Sequence, residues 1–251
     1  MTTLLNPPIT PVPQLTAALL ERGHAVLDPH GLCSIASTAP HDLDELRPSW
    51  DDLPPDAYLR DGGRYRRRRH SCFVVDAAGA RLVPHRAHWQ PLAYNALHGG
   101  LQRWFEPIAA TTLAHPAWPK LLVALTGVCS EVKGAQPWFV EAHQFRIDTT
   151  DGIGRPTPEG AHRDGVDFVA VLLISRVGVK GGETRVFEAA GPNGVRFTMN
   201  APWTSLLLDD ERVVHESTPI QPIVAPSAPP TPAHRDTLVL TFRRGGFQGP
   251  A

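Results

Sequence analysis

Trp138-Phe-Val-Glu-Ala-His-Gln-Phe-Arg-Ile147 opens a series of β-strand patterns that continues to residue 242. β-Branched and aromatic residues are frequent in each pattern, and loops rich in Gly and Pro separate one pattern from the next. A succession of short strands without a helix between them is typical of a barrel or a jelly roll. We therefore predict a mainly β protein with flanking helices, whose core covers residues 136–245. The other strands of this core are predicted over 168–174, 184–188, 194–198, 204–208 and 237–242.

Residues 1–135 have a different pattern and are predicted to form a helical flank with N-terminal strands, within a single domain that spans 1–251. Apolar side chains recur there with helical spacing, and the first helix would end at Gly23, a residue suited to a helix C-cap. The 26 prolines are spread over many loops, which argues against a helical bundle. The predicted elements are helices over 15–22, 101–108 and 121–128, extended segments over 24–28 and 65–75, and a loop over 38–63.

The composition narrows the class of protein. A formal net charge of −1 gives no reason to expect a nucleic-acid partner. The cysteines Cys33, Cys72 and Cys129 have no CxxC spacing, so we expect neither a disulfide framework nor a zinc site, which fits a reducing cytoplasm. The chain shows no signal-peptide pattern and no run of about 18 apolar residues, so we predict no membrane span.

A metal site is indicated by His162-Arg-Asp164. On an extended backbone, residues i and i+2 lie on the same side, so the imidazole and the carboxylate can reach one ion. Two histidines and one carboxylate suit Fe(II) and leave coordination positions open. The pattern recurs at His234-Arg-Asp236, but no histidine follows that copy, whereas His215 follows the first copy at the end of an apolar stretch. We therefore predict that His162, Asp164 and His215 bind the metal.

Open coordination positions could accept a bidentate keto acid such as 2-oxoglutarate, whose distal carboxylate would then need a charge-assisted partner. Arg235, at the start of the last predicted strand, is the candidate. Gln144 and Arg146 share one face of the 138–147 strand. If that face lines the barrel, they would also bind the cosubstrate or a substrate carboxylate; otherwise Arg146 is a surface residue. Thr241 on the last strand completes the predicted cosubstrate-binding set.

The basic run Arg64-Tyr-Arg-Arg-Arg-Arg69 has three interpretations. An alternating strand would divide these side chains between two faces, so a solvated face is favoured. The next interpretation is that Arg66 or Arg68 extends into the pocket. A nucleic-acid surface is the least favoured, because no aromatic stacking platform accompanies the run.

Five segments follow one another as the motifs of a known family do: His143-Gln-Phe-Arg146, His162-Arg-Asp164-Gly165, Gly181-Gly-Glu-Thr184, Val214-His-Glu-Ser-Thr-Pro219 and Arg235-Asp-Thr-Leu-Val-Leu-Thr-Phe242. Through them the chain resembles the 2-oxoglutarate- and iron-dependent dioxygenases that include the bacterial L-isoleucine 4-hydroxylases. That family also contains a group linked to biofilm and stress phenotypes. The resemblance covers residues 140–242 and extends more weakly to 65–69 and 99–100.

The resemblance implies a double-stranded β-helix, with Fe(II) on His162, Asp164 and His215 and a salt bridge from Arg235 to 2-oxoglutarate. It also implies the use of dioxygen, with ascorbate as reductant, to hydroxylate a small metabolite, which we expect to be a free amino acid; a homodimer is left open. The interval between His215 and Arg235 is longer than is usual in the family. It indicates an inserted loop that contains Pro222, Pro226, Pro229, Pro230 and Pro232.

Two alternative functions are compatible with the same residues. One is a catalytically silent β-barrel binding or stress-response protein that retains the metal site, since a fold does not guarantee a function. The other is a cupin-type metalloenzyme that does not use 2-oxoglutarate. If the protein is the dioxygenase described above, segments 149–161 and 221–233 are candidate lids. Gly181-Gly182 is interpreted as a turn or, less favoured, as a close backbone approach to the cosubstrate.

Overall fold

The computed structural model describes residues 5–95, 97, 99–223 and 233–250. Its helices are α1 (Leu15–Arg22), α2 (Pro29–Ala36), α3 (Pro40–Asp44), α4 (Ala110–Leu113) and α5 (Ala117–Lys133), with short 3-10 turns at Val12–Gln14 and Arg47–Trp50. Its strands are β1 (His24–Leu27), β2 (Arg66–Asp76), β3 (Gly79–Leu82), β4 (Trp138–Asp148), β5 (Phe168–Val177), β6 (Val179–Gly181), β7 (Thr184–Glu188), β8 (Gly194–Phe197), β9 (Ser205–Asp209), β10 (Val213–Ser217), β11 (Ile220–Pro222) and β12 (His234–Arg243).

The strands form a jelly roll, as the pattern of residues 138–242 predicted, and it is the double-stranded β-helix that the resemblance implied. Seven strands make a major sheet in the order β1-β9-β5-β12-β4-β2-β3, and β10-β7-β8 make a minor sheet, with β11-β6 as a separate pair. Neighbouring strands in all three sheets are antiparallel. Valines and other apolar residues of the minor sheet, including Val186 and Val213, pack against Val169 and Leu173 of the major sheet. One end of the space between the two sheets is therefore an apolar core.

The outer face of the major sheet is covered by the helical flank. Trp118, Leu121 and Leu125 of α5 belong to one buried cluster with Val140 of β4 and Leu240 of β12. Because side chains alternate along a strand, the residues next to these outward-facing positions point to the inner face. The packing of the helices therefore decides which alternate side chains of each central strand face the space between the sheets.

The register of the central strands aligns the inward-facing residues in rows across the sheet. Arg66, Ile147 and Arg235 occupy one row, since Arg66 pairs with Ile147 and Ile147 pairs with Arg235. Phe145 and Thr237 occupy the next row, together with Arg68. These rows form a cavity beside the apolar core, with the minor sheet opposite.

The helix predicted over 101–108 is wrong. Residues 101–109 are not helical, and Arg103 instead forms a bridge with His88. Phe105 and Ile108 are buried while Trp104 is 53% exposed, so the apolar spacing reflects contacts of an extended segment and not one face of a helix. The predicted helices over 15–22 and 121–128 correspond to α1 and α5.

Helix α2 was missed, although it carries a recognisable start signal. Asp28 accepts a hydrogen bond from the backbone N–H of Gly31 (2.7 Å), and Pro29 follows it at the first helical position. Both features are typical of a helix N-terminus. The predicted loop over 38–63 also contains α3 and a 3-10 turn.

The last strand begins earlier than predicted, at His234 instead of Thr237, and this places Arg235 inside the sheet. The proline-rich insertion mostly lies outside the described residues, so the candidate lid over 221–233 stays a prediction; Pro222 belongs to β11. Of the helices that the structure describes, none has both the length and the apolar character that crossing a membrane requires.

Candidate active site

The structure brings His162, Asp164 and His215 together at the mouth of the cavity. His162 and His215 form an isolated antiparallel bridge, with backbone hydrogen bonds of 3.0 and 2.9 Å in the two directions. The two oxygens of Asp164 lie 3.8 Å from Nε2 of His162 and 3.8 Å from Nε2 of His215. One ligand atom from each of the three residues lies within 4.8 Å of the others. This spacing lets the three residues serve as ligands of one divalent ion.

A buried carboxylate holds the loop that carries Asp164. Asp210 is fully buried and accepts hydrogen bonds from the backbone N–H groups of Asp164 (3.0 Å), Gly165 (2.8 Å) and Val166 (3.1 Å). Burial and the nearby Asp164 raise the pKa of Asp210. Gly165 has φ of 74°, and a Cβ there would lie 2.4 Å from the ring of Tyr94, so this position requires glycine.

Hydrogen bonds and pKa shifts determine how the two histidines, His162 and His215, can bind a metal. Nδ1 of His162 donates to the backbone carbonyl of Gly160 (3.0 Å), which leaves the lone pair of Nε2 directed towards Asp164. Burial and the adjacent His162 lower the pKa of His215 to about 3, so this imidazole is neutral near pH 7. The carboxylate is oriented as well, because Gln90 donates its side-chain amide to Oδ1 of Asp164 at 3.0 Å. Although burial opposes the effect, Asp164 and Glu159 raise the pKa of His162, so a metal ion would displace a proton from this residue on binding. Two imidazoles and an oriented carboxylate form a donor set that fits Fe(II).

Arg235 lines the same cavity and lacks an anionic partner there. It is 3% exposed, and its Nε and Nη2 have no hydrogen-bond acceptor among the described residues. Burial, reinforced by the positive charge of Arg176, lowers the pKa of Arg235 to about 10, which still leaves it protonated at neutral pH. Since an unpaired buried charge is costly, this site requires an anion. Thr241, Thr237 and Val239 line the cavity along the same strand.

Comparison with known proteins identifies the family. The profile described as 2OG-Fe dioxygenase matches residues 47–241, which include the three clustered metal-ligand candidates and Arg235. The chain belongs to the 2OG-Fe dioxygenase family. A search of curated proteins finds no match.

Solved structures agree with this membership. The crystal structure of a bsmA homolog from Methylobium petroleophilum PM1 is 52% identical, with a TM-score of 0.90 over 100% of both chains. IDO from Bacillus thuringiensis is 17% identical, with a TM-score of 0.74 over 97% of this chain and 100% of that one. The Fe(II)/(alpha)ketoglutarate-dependent dioxygenase TqaL is 19% identical, with a TM-score of 0.69 over 93% of this chain and 87% of that one. The last two likenesses show the fold.

Membership of the 2OG-Fe dioxygenase family establishes the cofactors and the class of reaction. This dioxygenase uses Fe(II) and 2-oxoglutarate, and the metal cluster and Arg235 supply groups of the required chemistry. The interpretations as a silent binding protein and as a metalloenzyme independent of 2-oxoglutarate are therefore not supported.

Two predicted cosubstrate ligands of this dioxygenase lie elsewhere. Gln144 and Arg146 do share a face of β4, but it is the outer face, and the prediction that they line the cavity is wrong. Gln144 donates to Oγ of Ser49 (2.8 Å), while Arg146 makes two 2.8 Å hydrogen bonds to the carboxylate of Asp236. The inward positions of β4 are the alternate ones and include His143, Phe145 and Ile147.

The basic run on β2 divides between the two faces of the strand, as alternation requires. Arg66 and Arg68 are 6% and 3% exposed and both line the cavity, so a solvated face is wrong for these two residues. The side chain of Arg67 between them is 44% exposed, and that of Arg64 is 77% exposed. The second interpretation expected Arg66 or Arg68 to extend into the pocket, and both of them do so.

A second group of metal-ligand type was not predicted; it consists of His70, His88, Glu141 and His143, of which His88 and His143 line the cavity. Oε2 of Glu141 accepts from His70 and from His88, each at 2.8 Å. Despite its burial, His88 and His70 hold the pKa of Glu141 far below its usual value, whereas burial lowers the pKa of His88 to about 3. This is an ionised carboxylate between neutral imidazoles.

The geometry of this second group argues against a metal ion. The rings of His70 and His143 are stacked at 4.6 Å with an interplanar angle of 17°, so their lone pairs do not converge. Nη2 of Arg68 donates to Nδ1 of His143 at 2.7 Å, which places a positive charge beside the group. A hydrogen-bonded cluster that fixes the cavity wall accounts for both observations.

The segment that contains the wrongly predicted helix also contributes to the cavity. Gln90 and Arg103 line it, and Oε1 of Gln90 accepts from Nη2 of Arg103 at 2.9 Å. No sequence pattern identified either residue, because their placement depends on the bridge between His88 and Arg103. From the candidate lid over 149–161, Pro156, Thr157 and Glu159 reach the cavity.

Proposed function

We propose that this dioxygenase hydroxylates a small free amino acid, with Fe(II) bound by His162, Asp164 and His215 and the distal carboxylate of 2-oxoglutarate bound by Arg235. One observation carries the proposal. A two-histidine, one-carboxylate cluster and a buried arginine without an anionic partner open onto one cavity.

The three ligand candidates lie on one side of the ion position, which leaves the other side to the cosubstrate and dioxygen. When bound, Fe(II) with 2-oxoglutarate supplies the activation of dioxygen that an unreactive C–H bond requires. The task of the protein is then to bind, orient and exclude water. Asp164 accepts a hydrogen bond from Gln90 through its carboxylate and donates its backbone N–H to Asp210, and these two bonds maintain the position of this ligand.

Arg235 would bind the far end of the cosubstrate through charge-assisted hydrogen bonds, with Thr241 on the same strand face. Val171 and Val239 provide apolar wall between these polar groups, which limits the access of water to the reacting atoms. No part of this arrangement needs Gln144 or Arg146, which are engaged on the other face of β4.

An amino-acid substrate is supported by the charges of the cavity. Besides the arginines, the wall contains Glu159, whose Oε1 lies 3.5 Å from Nε2 of His162 and whose Oε2 has no hydrogen-bond partner among the described residues. A small zwitterion offers both an ammonium and a carboxylate group, so it can satisfy groups of both signs. The resemblance to amino-acid hydroxylases agrees with this chemistry.

The experiment is a mass-spectrometric screen of the common amino acids with the purified protein, Fe(II), ascorbate and 2-oxoglutarate. We expect succinate together with a product that has gained one oxygen atom. Asp164→Ala should abolish both and lower metal content, while His41→Ala, a change of an exposed histidine on α3, should alter neither. Full turnover by a folded Asp164→Ala protein would refute the ligand assignment, and oxidation of only non-amino-acid metabolites would refute the substrate class.

A further inference from the structure

Three buried arginines form a cluster at one side of the cavity, away from Arg235. Arg66 and Arg68 extend inward from β2, and Arg103 approaches from the segment that covers the cavity. They are 6%, 3% and 2% exposed, and each lies in the electrostatic field of the others. We call Arg66, Arg68 and Arg103 the arginine cluster.

The arginine cluster has fewer acceptors than donors. Asp56 accepts from Nε of Arg66 at 2.7 Å and lies 3.8 Å from Nη1 of Arg68. Arg103 donates only to the neutral amide of Gln90. Nη2 of Arg66, Nε of Arg68 and Nε of Arg103 have no acceptor among the described residues. Among the described residues, Asp56 is thus the carboxylate in direct contact with the cluster, while Glu141 and Glu159 act on it at longer range.

Glu141 and Glu159 offset part of the positive charge of the cluster, but neither accepts a hydrogen bond from it among the described residues, so the three N–H groups stay without an acceptor. Arg103 keeps its charge at neutral pH, since burial lowers its pKa only to about 10, whereas burial lowers the pKa of Arg68 further. Buried N–H donors without acceptors are costly, and an anionic ligand in the cavity would supply the acceptors that these three groups lack.

The guanidinium groups are held in place in a way that suits binding. The Cζ atom of Arg68 lies 3.8 Å from the centre of the Phe105 ring and 4.4 Å from that of Phe145, so the group is enclosed by two aromatic side chains. Its Nη2 is also bonded to His143. A preorganised donor array loses little side-chain entropy when its ligand binds.

The arginine cluster is separate from Arg235. In the strand register, Arg66 pairs with Ile147, which in turn pairs with Arg235. Two strand spacings correspond to roughly 10 Å, and the inward side chain of Ile147 stands between the two arginines. The charged neighbours of Arg235 are Arg176 and Asp236 and not members of the cluster. The cavity therefore presents two cationic sites, which fit two different anionic groups.

We propose that the arginine cluster is the subsite for the carboxylate of the substrate, while Arg235 serves the cosubstrate. This inference rests on the proposed function and specifies how the amino acid is held. Gln90 connects the subsite to the metal ligands, because it accepts from Arg103 and donates to Asp164. A carboxylate on the cluster therefore sits one hydrogen-bonded side chain away from the metal site, and the rest of the substrate can extend towards it.

The test uses the full chain loaded with Fe(II) and 2-oxoglutarate in the absence of oxygen. Each standard L-amino acid is compared with its primary amide and its decarboxylated amine by isothermal titration calorimetry, which needs no turnover. We expect at least one amino acid to bind, and its amide and amine to bind roughly 10- to 100-fold more weakly, because the charge-assisted contacts to the carboxylate are lost. An amide that binds as tightly as the acid would overturn the proposal, as would binding by none of the amino acids.

Arg103→Gln is the main variant, because it removes a charge without leaving Asp56 unpaired. It should weaken amino-acid binding roughly 10- to 100-fold and leave 2-oxoglutarate affinity, followed by the visible absorption of the Fe(II) chelate, essentially unchanged. Arg103→Lys should restore part of the amino-acid affinity. Arg67→Gln is the matched control, since Arg67 lies between Arg66 and Arg68 on the opposite, solvated face, and it should change neither affinity.

If Arg103→Gln weakens 2-oxoglutarate binding and spares amino-acid binding, the cluster holds the cosubstrate and the proposal is wrong. The 2-oxoglutarate titration of the wild-type protein is done before any amino acid is added. Its failure would overturn the proposed function and this inference together. Binding by none of the amino acids would overturn both this inference and the amino-acid part of the proposed function, whereas an amide that binds as tightly as its acid would overturn only the carboxylate subsite.

Discussion

Replacement of Asp210 tests whether the loop that carries Asp164 is held by one buried carboxylate. Asp210 accepts three backbone N–H groups from the residues 164–166. Asp210→Ala leaves these three donors without an acceptor in a buried position, at roughly 1–3 kcal/mol each before solvent enters. Because water can reach part of the space, we expect a net loss of about 3 kcal/mol in the free energy of unfolding of the metal-free protein.

For a chain of this size, that loss corresponds to a decrease of roughly 6–12 °C in melting temperature. The loop would also present Asp164 less often in the conformation that faces His162 and His215. Loss of such an orienting partner typically weakens metal binding by roughly 10- to 100-fold. Asp210→Asn keeps one acceptor oxygen and should fall between the wild-type protein and Asp210→Ala in both measurements.

The assay combines thermal unfolding with titration of Fe(II) under anaerobic conditions. Asp209→Asn is the matched control, because Asp209 is an adjacent buried carboxylate that pairs with Lys133 (3.1 Å) and does not contact the metal loop. It should lower the melting temperature without changing Fe(II) affinity. Wild-type Fe(II) affinity in a folded Asp210→Ala protein would refute the argument that this carboxylate positions the ligand.

Three further predictions concern other parts of the molecule. Arg235→Gln should weaken 2-oxoglutarate binding roughly 10- to 100-fold while Fe(II) affinity is unchanged, and equal 2-oxoglutarate affinity would contradict its role. Gly182→Ala should lower the free energy of unfolding by about 1–2 kcal/mol, since Gly182 has φ of 67° and a new Cβ would lie 2.9 Å from Nη1 of Arg176; calorimetric unfolding that matches wild type would refute the strain. Burial lowers the pKa of His88 to about 3 in the folded protein, so below pH 6.5 the unfolded chain binds a proton that the folded chain does not, and stability falls as pH falls. Between roughly pH 6 and 4, His88 should lower the free energy of unfolding by about 1.4 kcal/mol for each unit that the pH falls. The melting temperature of the metal-free His88→Asn protein should therefore depend less steeply on pH than that of the wild-type protein.

Much of the predicted site depended on order and spacing along the chain, and those predictions agree with the geometry. His162 and Asp164 were identified because i and i+2 share a side of extended backbone, and a later histidine distinguished this copy from His234-Arg-Asp236. Arg235 was identified because a chelating keto acid leaves a carboxylate that needs a cation. The structure places all four residues around one cavity. These predictions depend on the i, i+2 spacing of His162 and Asp164, on the order of His215 along the chain and on the chemistry of a single ligand, and the metal and cosubstrate roles stay predictions.

The face of each strand, by contrast, was decided by what packs on the other side. The alternation of side chains along β4 correctly placed Gln144 and Arg146 on the same face. It does not show whether that face or the opposite one lines the cavity. The helices and the turn at Arg47–Trp50 cover their face, so His143 and Phe145 line the cavity instead. Alternation along β2 likewise places Arg66 and Arg68 in the cavity wall, while Arg67 lies on the outer face with its side chain 44% exposed.

The sequence by itself determined the strand-rich core, the metal-binding pattern and the need for a buried arginine, because alternation, spacing and ligand chemistry are local properties. Only the tertiary structure decided the cavity wall. Arg103 and Gln90 come from a segment with helix-like spacing that is held extended by a bridge to His88, and Asp56 meets Arg66 across the wall. Contacts between distant segments depend on how the sheets and covering segments pack together, and no pattern within one segment contains that information.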